Sequence, residues 1–218
     1  MADRPIPFRP PMVRALLAGT KTQTRRIIKP QPEPDFVRAT IREDGFSFAP
    51  ASLFGGPTHK ALARLCRPGD RLWVREAWRT ESNYYDDLSP SQMSGEETIL
   101  FAADADWSDN KSVGRLRAGM HMPRWASRLT LIVTDVRVQR LQEISKDDVI
   151  AEGITEREGY PIADCYAGWH EPYAQLWDTI NGAGSWDANP WVAAISFRVV
   201  RANIDSDEAH QIAKEAQG

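Results

Sequence analysis

The sequence predicts an α+β fold built around a small β-barrel, with short flanking helices. Two observations carry this prediction. The strand-like runs are short and interrupted by helical segments, and strands and helices do not alternate as they do in a doubly wound parallel sheet. The chain has 218 residues, of which 42% are hydrophobic. That is enough apolar material to bury a substantial core.

The N-terminal segment predicts an extended piece, a short helix and a strand. The prolines of "PIPFRP" (5–10) prevent a helix, whereas Pro11 suits a first helical turn because its missing N–H is not needed there. The helix would present one apolar stripe, formed by Val13, Leu16 and Leu17. Gly19 is a natural stop for this helix, and "TRRII" (24–28) then predicts a strand.

Two long segments have the character of insertions, residues 33–66 and 79–119. In the first, two β-like runs flank Glu43-Asp44-Gly45, which is a hairpin signal. Between the insertions, "PGDRLWVREAW" (68–78) predicts a turn that enters a strand. The second insertion is rich in Ser, Asp, Asn and Gly and contains one strand-like run, "TILFAA" (98–103).

The C-terminal half predicts two strands and two helices. "RLTLIVTDVRVQRL" (128–141) and "WVAAISFRVV" (191–200) are strongly β-like, and the second alternates as though one face were buried. "SKDDVIAEGI" (145–154) predicts a short helix, because a Ser cap is followed three residues later by an acid and Gly ends the run. "HEPYAQLWDTIN" (170–181) predicts an amphipathic helix. Its apolar face comprises Tyr173, Leu176, Trp177 and Ile180.

We therefore expect a single domain over residues 1–203, with both insertions outside its barrel. The barrel strands should include 70–76, 129–140 and 191–200. Residues 204–218 are polar and predict a C-terminal tail that frays.

Charge is segregated along the chain, although its net value is only −3. Between Arg4 and Pro32 there are seven Lys or Arg residues and no acid. Between Asn110 and Thr134 there are five more, together with His121, again without an acid. Such windows are typical of an anion-binding surface on an acidic protein, and that interpretation requires them to form one positive face. The alternative is a solvated face on which cations cluster by chance.

Composition disfavours several classes of protein. No apolar run approaches the length of a membrane span, and "MADRPIPFRPPM" lacks the apolar core of a signal peptide. Cys66 and Cys165 have no CxxC spacing, and His121 and His170 have no metal-ligand spacing. We therefore expect a cytoplasmic protein that needs no metal and no other cofactor.

Several motifs follow one another along the chain. A helix ending in Gly precedes "GTKTQTRR" (19–26), and "PGDRLWVRE", a paired β stretch, a helix carrying "AEG" and the strand "AISFRVV" follow. This order resembles the ASCH domain of the PUA-like β-barrel superfamily. "HMPRWASRLTL", "AEGI", "LWDTING" and "SWDANPWV" further resemble the longer ASCH proteins common in prophages. The resemblance covers about residues 5 to 200. For a phage-encoded protein, it implies the cytoplasm of a bacterial host.

The resemblance also implies catalytic residues. In the small bacterial amidohydrolases of the family, which remove the acyl group from N4-acetylcytidine, the catalytic set is a lysine, a threonine and a glutamate. These fall on Lys21, Thr24 and Glu152. Another branch of the family consists of ribonucleases, and the wider superfamily binds RNA or modified bases. The two insertions depart from the family pattern, so the substrate stays open.

The residues can also be judged by their own chemistry. In a four-residue turn, Lys21 and Thr24 would come within about 7 Å of each other. A lysine desolvated there and repelled by Arg25 or Arg26 would have a lowered pKa, and it could deprotonate the threonine hydroxyl. Glu152 could orient the lysine or carry a proton. Alternatively, the cations hold phosphates while Glu152 pairs with a base inside the fold.

A further set of residues is expected to contact substrate: Thr22, Arg26, Glu76, Trp78, His121, Arg124 and Trp125. Glu76 follows Leu72 and Val74 on one strand face and should point inward. A buried carboxylate needs a partner, for which Lys21 or Arg26 would serve. The aromatic and cationic members could form a base-stacking cleft, or the tryptophans could simply pack in the core.

Three functional interpretations are compatible with the sequence. The first is a hydrolase that acts on an amide of a modified nucleoside, or on RNA itself. The second is a non-catalytic module that binds RNA, DNA or a modified base, and the third is a phage accessory protein that engages a host protein. A nucleic acid or nucleoside is the expected partner, with no membrane partner. The sequence predicts no oligomeric state.

Overall fold

The structure is a computed structural model. It describes residues 1–32, 36–42, 45–50, 59–61, 66–107, 109–154 and 170–215. The chain divides into two compact units. Unit 1 consists of Met1–Gly19, Pro68–Thr134 and Phe197–Gly218, and unit 2 consists of Thr20–Arg67 and Asp135–Ser196. The prediction of a single domain over 1–203 stays a prediction.

The described residues form strands and helices, which confirms the predicted α+β class. The strands are β1 (Asp3–Pro7), β2 (Gln23–Ile27), β3 (Phe36–Arg42), β4 (Gly45–Pro50), β5 (His59–Ala61), β6 (Arg71–Arg75), β7 (Trp78–Thr80), β8 (Ile99–Phe101), β9 (Thr130–Arg140) and β10 (Trp191–Val200). The α-helices are α1 (Pro10–Leu17), α2 (Lys146–Ala151), α3 (Glu171–Asn181) and α4 (Asp207–Glu215). Within the described ranges, no helix is long and apolar enough to cross a bilayer.

Five strands form a mixed sheet in the order β1-β6-β9-β10-β2. β1 pairs with β6 in parallel, whereas β6 with β9 and β10 with β2 are antiparallel. β9 and β10 each continue from one unit into the other. Closure into a barrel would require the edge strands β1 and β2 to pair. Among the described strands this pairing does not form, so the sheet is open rather than the barrel that the sequence predicts.

The insertions contain the strands expected of them. β3 and β4 form the predicted antiparallel hairpin, and β5 adds to β4. The two acids of the predicted turn lie outside the described residues. In the second insertion, β8 is the predicted strand, and it pairs with β7 through Trp78 and Phe101.

The helix α1 forms where its sequence predicts. Two prolines, Pro10 and Pro11, open it, and Val13 and Leu16 are its buried residues. Gly19 follows with a φ of +74°, a left-handed conformation that glycine adopts without strain. The chain therefore turns sharply before it enters β2.

The strand β10 is buried on both faces rather than on one. Trp191 through Ile195 are all buried, so the predicted alternation is wrong for the first half of the strand. Small residues make this arrangement feasible, because Ala193 and Ala194 leave room for large side chains on the neighbouring strand. The sequence pattern also assigns Ile180 of α3 to the apolar face, but this residue is 42% exposed.

The described part of the predicted C-terminal tail, residues 204–215, contains a packed helix instead of fraying as the sequence predicts. Residues 207–215 form α4, and Ile204 just before it is fully buried. Ala209 and Ala213 pack against Ile132 and Val200 of unit 1. Because only two alanines, four residues apart, form the buried stripe, the polar composition concealed an amphipathic helix.

The pairing of β10 with β2 makes a testable prediction at Ala194. This residue is fully buried and lies opposite Arg25 in the register, so both side chains lie on the same face. We expect Ala194→Leu to overpack this face and lower the free energy of unfolding by about 1–3 kcal/mol. The matched control is Arg198→Leu, at an exposed position of the same strand, which should change stability by less than about 0.5 kcal/mol. Urea denaturation measures both, and equal effects would contradict the register.

Candidate functional site

The strand β2 carries polar side chains on both faces. Gln23, Thr24 and Arg25 are all buried. Arg25 Nη1 donates to Gln23 Oε1 at 2.6 Å, and Arg26 Nη1 donates to Thr24 Oγ1 at 2.9 Å. Since side chains alternate along a strand, Gln23 and Arg25 share one face, and Thr24 and Arg26 share the other.

The helix α2 places two carboxylates on one side. Ser145 caps it: the Ser145 hydroxyl accepts from the Asp148 N–H, and the Asp148 carboxylate accepts from the Ser145 N–H. Glu152 closes the helix and is followed by Gly153 with a φ of +86°. Asp148 and Glu152 are four residues apart, so their side chains lie on the same helix face.

Lys21 meets Glu152 through both main chain and side chain. The two residues form an isolated antiparallel bridge. Lys21 Nζ donates to Glu152 Oε2 at 2.7 Å and to the Glu152 carbonyl oxygen at 2.9 Å. Lys21 is 1% exposed and Glu152 is 4% exposed. The structure therefore brings together two of the three predicted catalytic residues in a buried ion pair.

The segment from Lys21 to Thr24 is extended, and the turn that the spacing predicts is not formed. The Thr22 N–H donates to the Ala151 carbonyl at 2.8 Å, which holds this segment against the end of α2. The turn lies earlier, at Gly19. Lys21 consequently reaches Glu152, while the buried Thr24 hydroxyl accepts its hydrogen bond from Arg26. A catalytic contact between lysine and threonine stays a prediction.

The second oxygen of Glu152 has two further donors. Arg25 Nη1 donates to Oε1 at 3.1 Å, and the Tyr173 hydroxyl of α3 donates to it at 3.3 Å. Arg25 Nη2 also donates to Asp148 Oδ2 at 2.8 Å, and Arg137 Nη2 donates to Asp148 Oδ1 at 2.7 Å. The carboxylates of Asp148 and Glu152 are therefore each compensated by more than one donor.

Burial and charge together shift the ionisation of this cluster. Burial lowers the pKa of Lys21 below its ordinary value; the charge of Glu152 opposes this shift, and Arg26 and Arg25 reinforce it. Burial also raises the pKa of Tyr173 well above its ordinary value, and the charge of Glu152 adds to that shift. The phenol therefore keeps its proton and serves as a hydrogen-bond donor.

Three residues of this cluster are not among the site residues that the sequence predicts. The sequence predicts only that Arg25 repels Lys21, that Asp148 caps a helix, and that Tyr173 lies on an apolar helix face. A signal was available for Asp148, because an acid four residues before Glu152 on a capped helix shares its face.

The predicted site residues divide between the two units. Unit 2 contains Lys21, Thr22, Thr24, Arg26 and Glu152, and unit 1 contains Glu76, Trp78, His121, Arg124 and Trp125. A single positive face formed by both acid-free windows stays a prediction. Among the described residues, no group of three or more His, Cys, Asp or Glu side chains could hold a metal ion.

Glu76 is buried in an ion pair with Arg128, not with Lys21 or Arg26 as expected. Arg128 Nε and Nη2 donate to its two oxygens at 2.9 and 3.1 Å. The other edge of the same guanidinium donates to Asp104. Burial raises the pKa of Glu76 despite the opposing effect of Arg128. The geometry is that of a structural ion pair.

The remaining residues predicted in unit 1 have different surroundings. Trp78 is fully buried in a cluster that includes Met93 and Met122, which is the packing alternative left open by the sequence. Arg124 binds two carboxylates, those of Asp3 and Asp205, each at 2.6 Å. Trp125 is half-buried and His121 is exposed.

Asp148 makes the stability of the fold depend on pH. Burial alone would raise its pKa, but the hydrogen bond from Arg137, the charge of Arg25 and the Ser145 N–H outweigh burial and hold the pKa at about 2. Its ordinary value is 3.8, so the carboxylate stabilises the folded state above about pH 4, and this contribution is lost as the pH falls through about 2. We expect Asp148→Asn to lower the free energy of unfolding by about 2 kcal/mol at pH 7 and by less at pH 3. Urea unfolding at both pH values measures the difference, and a deficit independent of pH would contradict the assignment.

No family model matches the chain, and no curated protein matches it. Among solved structures, the chain is similar to the crystal structure of protein EF3133 from Enterococcus faecalis V583, which carries the family-model label DUF984. The sequence identity is 11%, the match covers 93% of this chain and 82% of that chain, and the TM-score is 0.40. At that TM-score, the likeness carries no argument about fold or function.

Proposed function

We propose that this chain is a PUA-like ASCH-domain protein that binds a nucleic acid or a modified nucleoside and hydrolyses the N4-acyl amide of a cytidine. The observation that carries the proposal is the buried contact between Lys21 and Glu152, with a lysine pKa below its ordinary value. A buried ionisable group whose pKa is shifted beside a specific charged partner is typical of functional sites. The motif resemblance supplies the substrate class.

The proposed reaction requires a nucleophile, a base and water. In the proposed reaction Thr24 Oγ attacks the acyl carbonyl carbon and Lys21 Nζ accepts the hydroxyl proton, a transfer for which Lys21 Nζ must leave Glu152 and come within hydrogen-bond distance of Thr24 Oγ. The C–N bond breaks, the cytidine amino group leaves with that proton, and the acyl group remains on the threonine as an ester. Water then cleaves the ester, which releases the carboxylic acid and restores the hydroxyl. Atoms balance without a cofactor.

Arg26 and Glu152 support the two reacting groups. Arg26 Nη1 lies 2.9 Å from Thr24 Oγ1, and a guanidinium beside a hydroxyl favours the developing alkoxide. Glu152 fixes the position of Lys21 Nζ through its carboxylate and its carbonyl oxygen. Guanidinium groups also bind phosphate oxygens, so Arg26 is the residue expected to hold the backbone of a nucleic acid.

A non-catalytic binding module is the second candidate. It is favoured by the extended segment from Lys21 to Thr24, because Lys21 is directed towards Glu152 while Thr24 lies on the β2 face of Arg26. In that case, the cations contact phosphate or base atoms, and the buried ion pair only shapes the site.

Turnover of N4-acetylcytidine separates the two candidates. A nucleophile and its base act as a unit, so Lys21→Met and Thr24→Val should each remove nearly all of the acceleration. Glu152→Gln should lower turnover less than these two substitutions if the carboxylate only orients the lysine, and by as much if it carries protons. The measurement is the release of free cytidine, detected by chromatography.

Two matched substitutions control for loss of charge and of hydroxyl in the same region: Lys29→Met and Thr20→Val, both at exposed positions. They should retain turnover. Unchanged turnover in Thr24→Val would exclude the nucleophile role. If the wild-type chain hydrolyses none of a panel of acylated nucleosides, the non-catalytic binding module is the remaining candidate.

Salt dependence tests the binding of a nucleic acid. Binding of single-stranded RNA should weaken steeply between 50 and 200 mM salt, because phosphate contacts release counterions. Arg26→Met should weaken binding and reduce the slope of log K against log salt by about one. Arg198→Met, an exposed charge outside both acid-free windows, should leave the slope unchanged. Fluorescence anisotropy measures each slope. Binding whose strength does not depend on salt would indicate that the site takes a small molecule and not a nucleic acid.

A further inference from the structure

A cavity in unit 1 contains none of the residues of the proposed reaction. Its volume is about 380 Å³, within the range of pockets that hold small ligands. The lining comes from four parts of the chain: Arg14 of α1, Arg79 of β7, the loop after β8 (residues 102–107) and Leu116. All of these residues belong to unit 1, so the cavity is formed within that unit.

The loop after β8 leaves space because it turns tightly and has small side chains. The Asp104 N–H closes the turn by donating to the Phe101 carbonyl at 3.1 Å. The Ala102 N–H donates to the Ala77 carbonyl at 2.9 Å, which fixes the start of the loop. Half of the six loop residues that line the cavity are alanines, whose methyl groups fill little volume: Ala102, Ala103 and Ala105.

Two guanidinium groups line the cavity and retain hydrogen-bond donors. Arg14 Nη1 donates to the Ala103 carbonyl at 3.3 Å, and Arg79 Nη1 donates to the Gly114 carbonyl at 3.0 Å. Within the part of the chain that the structure describes, neither arginine forms an ion pair with a carboxylate. A guanidinium has five N–H donors, and these contacts occupy one nitrogen of each group. The other N–H groups of both arginines are therefore available to a ligand.

The charges around the cavity balance. The lining contains two arginines and two aspartates. One of these acids, Asp104, pairs with Arg128, which also pairs with Glu76, so one further cation and one further acid are added. A neutral ligand therefore suits the cavity better than a phosphate or a metal ion, because either ion would add a charge without a partner. The lining still offers acceptors, since each carboxylate oxygen of Asp104 can accept more than one hydrogen bond.

Two side chains give the cavity an apolar surface. Trp107 is half-buried, and Leu116 is 54% exposed. A flat indole beside hydrogen-bonding side chains suits a planar heterocycle, because nucleobases stack on aromatic rings. The lining thus matches a nucleobase better than an aliphatic ligand.

Hydrogen-bonding capacity distinguishes one base from the others. Guanine has two adjacent acceptors, O6 and N7, and arginine donates to both at once. It also has two adjacent donor groups, N1–H and N2–H₂, which a carboxylate accepts. The other three bases of RNA have a single donor group each. Guanine therefore fits a lining that combines arginine donors with an aspartate acceptor.

We propose that this cavity binds a guanine base. Arg14 and Arg79 donate to its O6 and N7, and Trp107 stacks on its ring. Asp104 accepts from N1–H or N2–H₂. The site does not depend on the proposed reaction, whose residues belong to unit 2. A free nucleotide and a strand of nucleic acid both supply this base.

Calorimetric titration of the full chain with the four ribonucleoside 5′-monophosphates tests the proposal. All four carry the same phosphate, so a difference between them reports recognition of the base. The guanine nucleotide should bind at least about tenfold more tightly than the other three, and inorganic phosphate should bind no better than those three. Equal binding of the four nucleotides would indicate an anion site and overturn the proposal, as would absence of binding by the guanine nucleotide.

Two substitutions separate recognition of the base edge from stacking. Arg79→Met should weaken binding of the guanine nucleotide at least about fivefold and reduce the preference for guanine. Trp107→Leu should weaken all four nucleotides by a similar factor, because every base has a face that stacks. The matched control is Arg115→Met, an exposed cation that precedes Leu116 and does not line the cavity. It should change neither affinity nor preference, and a loss equal to that in Arg79→Met would refute the assignment.

Further variants cover misfolding and the second site. If Arg79→Met does not fold, the exposed Arg14 replaces it: Arg14→Met should reduce the preference for guanine, and an unchanged preference would refute the role of the arginines. Lys21→Met should retain guanine binding. Guanine binding that is lost in Lys21→Met but kept in Arg79→Met would overturn the assignment to this cavity. Absence of N4-acetylcytidine turnover would end the proposed function and leave the guanine titration standing.

A single-stranded oligouridylate that contains one guanine distinguishes the two sources of the base. If it binds more tightly than the guanine nucleotide and than the same strand without guanine, the site belongs to a nucleic acid. If the free nucleotide binds more tightly, the site takes a nucleotide. A strand whose affinity does not depend on its guanine, together with no binding of the nucleotide, would refute the proposal.

Discussion

The buried carboxylate of Glu152 is the constraint on which the rest of unit 2 depends. A carboxylate at this depth is stable only if hydrogen bonds and opposite charges replace the water that it has lost. Its donors come from three separate segments: Lys21 before β2, Arg25 within β2 and Tyr173 on α3. All three donors must reach the same carboxylate at the end of α2. The need to compensate Glu152 therefore fixes the positions of the segment before β2, of β2 itself and of α3.

This arrangement is not an efficient way to gain stability. Removing charges from water costs several kcal/mol for each ion, and the attraction between them offsets that cost only when the geometry is good. The stability of unit 2 comes instead from an apolar cluster that includes Val149 of α2, Trp177 of α3 and Val192 of β10. Apolar side chains of similar volume often stabilise a fold as well as a buried ion pair does, so buried charges of this kind are weak evidence for stability.

In unit 1 the same residue types have a structural role. Arg128 lies between the carboxylates of Glu76 and Asp104, and Arg124 joins Asp3 near the N-terminus to Asp205 near the C-terminus. Both arginines belong to a stretch of sequence without acids, yet each is compensated by acids from distant parts of the chain. A run of cations in a sequence is therefore not by itself an exposed positive surface, because folding supplies partners that the run does not contain.

The sequence by itself determined most of the local structure, because caps, prolines and hydrophobic periodicity act over a few residues. Pro11 and Gly19 delimit α1, and Ser145 with Asp148 begins α2. Only the tertiary structure decided that the sheet is open, that β10 is buried on both faces, and that a polar tail contains a packed helix. It also decided that Lys21 meets Glu152, 131 residues later, and that Arg25 shares the same carboxylate. The physical reason is that such contacts depend on which segments pack together, and no local pattern states which distant charge will compensate a buried one.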